Sequence, residues 1–170
     1  MANFDTRHTF ISGRPATTWG VKVGLKHGKR IQYGIGVHWL RHGFEKQIER
    51  EEQPAELRLA YVAPFFEYNF IYRNNWEVAI PLRIGIGRSK LIHLPFEGDP
   101  TDGDHGMIML YEPAMSAKYK FLNYFGVGAA VGYRLMLVNN RKIDQQFTAP
   151  TWGLLFSVDL GSMYADLSHP

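Results

Sequence analysis

The chain has 170 residues, a formal net charge of +3 and no cysteine. That is one domain's length; it excludes disulfides and thiolate metal sites, and no basic run interleaved with aromatics points to nucleic acid. Aromatics make up 14% and glycines number 17, yet mean hydropathy is only −0.23, the balance expected of strands with one apolar and one small or polar face.

Period-two alternation recurs along the chain and helical periodicity is nearly absent. A first strand is placed at about Thr6–Ser12, turning through Gly13, Arg14 and Pro15; closure and an even strand count require it. From Thr18 to Lys26, Trp19, Val21, Val23 and Leu25 oppose Gly20, Lys22, Gly24 and Lys26. From Ile31 to Leu40, Tyr33, Ile35, Val37 and Trp39 oppose Gln32, Gly34, Gly36 and His38. In Leu57–Tyr72 the alternation is legible only late, where Phe66, Tyr68 and Phe70 oppose Glu67 and Asn69, and Pro64 is read as a bulge. From Trp76 to Gly87, Trp76, Val78, Ile80, Leu82, Ile84 and Ile86 oppose Glu77, Ala79, Arg83 and Gly85. In Met107–Lys120, Met109, Tyr111, Met115 and Tyr119 oppose Glu112, Ser116, Lys118 and Lys120. The clearest case is Tyr124–Val138, where Phe125, Val127, Ala129, Val131, Tyr133, Leu135 and Leu137 oppose Gly126, Gly128, Ala130, Gly132 and Arg134. The last strand is Thr151–Gly161.

Short connections at His27–Arg30, Tyr72–Asn75 and Lys120–Asn123 alternate with long ones at about His42–Glu56, Arg88–Gly106 and Asn139–Thr148. The pattern predicts an all-β, eight-stranded antiparallel up-and-down transmembrane β-barrel, one domain over residues 1–170, with both termini at the short-turn end. Polarity decides against a soluble barrel. Eight strands leave interior room only for packed side chains, so the face rich in Trp, Phe, Tyr and Ile must lie outside, against lipid. Aromatics near strand ends, among them Trp19, Trp39, Tyr72, Trp76, Tyr119 and Trp152, suit interfacial girdles. No stretch approaches the roughly 20 apolar residues of a transmembrane helix. Residues 1–7 lack the apolar segment of a signal peptide, so an exported chain is expected here in its mature form.

On this register the inward charges are Lys22, Lys26, Arg83, Lys118 and Arg134 against Glu67, Glu77, Glu112 and Asp159. Charges enclosed by a membrane barrel are costly unless paired, so near-neutrality predicts an ion network that fills the lumen, with Glu67, Arg83, Glu112 and Arg134 at its centre. A plug is expected rather than a conduit. No catalytic, cofactor or metal site is expected. His38, His42, His93 and His105 gather towards the long-loop end with Ser89 as the only nearby serine, and no Gly-x-Ser-x-Gly is present. Asp99, Asp102 and Asp104 lack the EF-hand pattern and read as a solvated acidic loop. Glu45–Glu52 reads as an exposed loop with at most one helical turn. Lys29, Arg30, Arg73 and Lys120 mark one rim, and Arg41, Arg88, Lys90, Arg141 and Lys142 the other; either set could meet lipid phosphates, although strand-end charges also serve as gatekeepers.

In the last strand, Thr151, Gly153, Phe156 and Val158 resemble the β-signal of outer-membrane proteins, which implies recognition by the barrel-assembly machinery. The chain departs from that pattern by running on past the strand to Pro170. More broadly, Trp19–Gly24, Pro64–Tyr68, Trp76–Gly87, Tyr111–Pro113 and Val131–Arg134 look like small OmpA/OmpX-like outer-membrane barrel proteins of Bacteroidota. The resemblance implies a Gram-negative outer membrane with periplasmic termini, and contact with its lipid and lipopolysaccharide. It also implies a non-enzymatic role, structural or as accessory subunit of a larger complex for secretion, barrel assembly or uptake. Docking would use a flat face of small residues around Ala129. A lipid A deacylase or acyltransferase, or a narrow pore, is the alternative.

Overall fold

The computed structural model describes residues 1–11, 14–40, 44–47, 54–93, 101–121, 124–138, 148–161 and 163–164. Its strands are β1 (Ala2–Ile11), β2 (Arg14–His27), β3 (Ile31–Leu40), β4 (Phe44–Gln47), β5 (Pro54–Arg73), β6 (Trp76–His93), β7 (Thr101–Phe121), β8 (Phe125–Val138) and β9 (Ala149–Val158). Sequence neighbours other than β3 and β4 pair antiparallel, β1 closes on β9, and β3 pairs with β5, giving a closed eight-stranded antiparallel barrel. Closure leaves no open edge around the barrel, so every strand finds its backbone partners within the sheet. The ninth strand, β4, lies outside this ring: it pairs only with the start of β5, from Phe44↔Leu57 to Gln47↔Pro54.

Turn chemistry sets one end. Asn74 and Asn75, both at positive φ (49° and 67°), form the two-residue β5–β6 hairpin, the conformation that matches strand twist and that Asn tolerates. Gly28, at φ 63°, opens the β2–β3 turn. β1 begins and β9 ends at this tight-turn end, since Ala2 pairs with Val23 and Val158 with Phe125.

Several expectations change. The first strand starts at Ala2 rather than Thr6, which brings Asn3 and Asp5 into the sheet beside Arg7. The irregularity of β5 falls at Phe70, between Asn69 and Ile71, and not at Pro64; Phe70 and Ile71 consequently both face outward. β6 and β7 run on to His93 and back from Thr101, so part of the long connection is a hairpin extension of the barrel wall. Phe44–Gln47 is a strand, where a loop with at most a helical turn is expected from its polarity. The last strand ends at Val158, and a helical turn follows, in which the Met163 N–H donates to the Asp159 carbonyl at 3.1 Å.

The outer surface is apolar. Val21, Ile35, Ile86, Val131 and Leu154 are between 43% and 67% exposed. Aromatic rings gather at the two ends of this band. Trp76 meets Tyr119 at 5.3 Å and Phe125 meets Phe156 at 6.1 Å near the tight turns, and Phe10 meets Trp152 at 5.5 Å near the other end. Along β6 the outward residues from Trp76 to Ile86 cover ten steps, which for a tilted strand is roughly 25 Å of height, the band of an outer-membrane barrel. Among the described residues no helix is long and apolar enough to cross a membrane.

Candidate functional site

In the polar interior, charged side chains of the described residues converge from around the ring. Alternation along each strand delivers them, because every second residue points inward. Asp5 is fully buried and acts as a hub. Its Oδ2 accepts from Arg7 Nε and Arg83 Nη1 at 3.1 Å each, Lys22 Nζ lies at 3.8 Å, and His38 Nδ1 is 3.8 Å from its Oδ1. Glu112 is the second hub. It pairs with Arg7, accepts from Arg134 Nε at 3.1 Å, and lies 3.9 Å from Arg83 Nη1. Arg134 also reaches the Tyr61 hydroxyl at 3.4 Å, and the Tyr61 ring stacks on His38 at 4.9 Å. Two carboxylates thus hold four cations drawn from β1, β2, β6 and β8. Small residues make the room: a Cβ on Gly20 would run into His38 and Asp5, and one on Gly36 would meet Lys22 Cγ at 2.7 Å.

A second group lies nearer the tight turns. Lys118 Nζ donates to Glu67 at 2.6 Å and sits 3.6 Å from Glu77, which Lys120 reaches at 2.7 Å. At the rim Lys26 meets Asp159 at 2.6 Å, with 24% and 14% of their side chains exposed. A small recess, with room for about one water, opens here, lined in part by Asn3, Gln32, Glu77 and Lys118.

The lumen residues expected from the sequence therefore sort into three places. Lys22, Arg83, Glu112 and Arg134 meet in the central cluster. Glu67 and Lys118 meet each other in the lower group rather than at the centre, and Asp159 sits beyond the end of β9 as half of a rim pair. Asp5 and Arg7, which hold the centre together, were missed. Their signal is the alternation of Asn3, Asp5, Arg7 and Thr9 against Phe4 and Phe10; a strand started at Thr6 cuts off Asn3, Phe4 and Asp5 and leaves Arg7 without the pattern that marks it as inward. Of the β-signal residues, Thr151 is buried inside and Phe156 faces outward, 42% exposed.

Large residues are not confined to the outside. Leu59, Tyr61, Ala63, Ile108 and Leu110 form a buried apolar cluster inside the barrel, with Leu40 and Met136 against it. They lie towards the long-loop end, as the pairings Tyr61↔Gly87 and Gly87↔Ile108 place them. Of the histidines expected near that rim, His38 is buried inside the barrel, 1% exposed. His42 lies outside the described residues, as do Asp99 and the His93, His105, Asp102 and Asp104 side chains. Ser89 is buried, with its hydroxyl directed at the Gly106 carbonyl at 3.4 Å. No cluster of metal-ligating side chains occurs among the described residues.

No protein-family model matches the chain, and no curated protein sequence matches it. Solved structures do. Neisserial surface protein A aligns with a TM-score of 0.68 at 9% identity over 93% of this chain and 96% of that one. Ail, the attachment invasion locus protein of Yersinia pestis, aligns at 0.54 and 13% identity over 92% and 93%. A looser alignment, 0.42 at 14% identity over 92% and 98%, is to the outer membrane enzyme PagL. For the first two, at these identities, the likeness is one of fold, an eight-stranded antiparallel barrel.

Proposed function

We propose that the chain is an integral outer-membrane barrel with a solid, ion-paired interior and a non-enzymatic role, structural or as accessory subunit of a larger outer-membrane assembly. The observation that carries the reading is the inverted polarity. A closed ring presents a continuous apolar surface outward, and water does not stabilise such a surface, whereas lipid does. The termini would face the periplasm, because the tight turns share their end.

Two features support a plug rather than a pore. The central carboxylates and cations pair across the lumen, and the apolar cluster around Tyr61 and Leu110 is buried inside the barrel towards the long-loop end. Refolding into lipid vesicles followed by planar-bilayer recording tests this: the barrel should insert and pass no steady current, and a stable open conductance would overturn the plug. The accessory role is tested by purification in mild detergent with mass spectrometry. A stoichiometric outer-membrane partner is expected; a monodisperse monomer would contradict that role and leave the structural one.

A further inference from the structure

On the outer wall at the long-loop end, three cations stand together directly above the apolar band. Arg58 of β5 is paired with Lys90 of β6, and the next outward pair towards the band is Ala60 with Arg88. Arg58 and Arg88 are exposed and Lys90 is half-buried. Below the cations the same columns turn apolar at once: Val62 pairs with Ile86, and Ile84 follows, all more than 40% exposed. Ala60 leaves a shallow gap beside Arg88, with Met107, 63% exposed, on its other flank.

We propose that this face holds a phosphorylated lipid of the surrounding leaflet, its phosphate on Arg58, Arg88 and Lys90 and its acyl chains along Val62, Ile84 and Ile86. The inference rests on the membrane reading above and adds a ligand class and a position to it. A soluble polyanion would be held by the cations alone. The apolar columns beginning one residue pair below select a ligand with charge and hydrocarbon on one molecule, and a leaflet supplies that ligand at the right height. Arginine suits the task because its planar fork gives two parallel hydrogen bonds to a phosphate.

The test uses the full chain purified in detergent, with retained lipid read by native mass spectrometry. The probes are bisphosphorylated lipid A and the same lipid stripped of its phosphates. The wild type should retain the phosphorylated probe preferentially. The combined Arg58→Gln, Arg88→Gln and Lys90→Gln substitution should weaken retention about a hundredfold, taking each cation near a charged lipid surface as worth roughly fivefold. Lys29→Gln with Arg30→Gln, at the opposite rim, should leave it unchanged. Equal retention of both probes, or of the phosphorylated probe by the triple variant, would overturn the proposal. Flotation with phosphatidylcholine vesicles separates the two readings: a chain that fails to float removes the membrane reading and the lipid site with it. One that floats but ignores the phosphate removes the site alone.

Discussion

The two ionic groups inside the barrel are built from the same residue types but work under different conditions. In the central cluster, every charged side chain is at most 4% exposed, and two carboxylates answer four cations. Near the tight turns, Glu67 and Glu77 answer Lys118 and Lys120, and the lysine at the edge and the Lys26–Asp159 pair keep some contact with solvent. The difference teaches where the interior is brittle. A buried pair that loses one partner leaves an uncompensated charge in a low-dielectric space, whereas a rim pair can be rescued by water.

The largest effect is expected at Asp5, which touches three cations. Asp5→Ala should cost about 4 kcal/mol, the middle of the range for breaking a buried ion pair, read as the midpoint of urea unfolding in lipid vesicles. Arg134→Ala comes next, at about 3 kcal/mol, because it frees Glu112 from one partner of several; thermal stability should fall while planar-bilayer conductance stays at baseline. Gly20→Val belongs near these two, since the added carbons meet His38 and Asp5 and overpacking costs about 1–3 kcal/mol; equal unfolding midpoints for the variant and wild type would show the cradle to be loose. Lys26→Ala, at the rim, should cost under about 1 kcal/mol. Should Lys26→Ala match Asp5→Ala, the distinction between centre and rim would be lost.

How far the sequence disclosed this interior depended on contrast between neighbouring residues. Strand β8 was legible because glycine, alanine and Arg134 alternate with large apolar side chains, and its register follows from that. Strand β5 around Leu59–Ala63 was not, because both of its faces are apolar, so nothing in the pattern announced that Leu59 and Tyr61 turn inward to fill the lumen. The extension of β6 through Ser89, Lys90 and Leu91 was hidden by polar residues that suit a loop equally well. Asp5 escaped because Thr6 and His8 blur the outward face of β1, leaving only Phe4 and Phe10 to mark it. The size of the barrel and its polarity were readable; which charges meet depends on cross-barrel distances that no local pattern encodes.

The inside-out polarity is tested most directly by the four native tryptophans. Trp39, Trp76 and Trp152 are between 37% and 48% exposed on the outer face, and Trp19 shares that face, its ring against Phe4 at 5.7 Å. After refolding into vesicles, lipids brominated on their acyl chains should quench most of the tryptophan fluorescence, and iodide added to the water should quench little of it. Fluorescence that brominated lipid leaves intact would mean that the tryptophans do not face a membrane, and the barrel would have to be read the other way out.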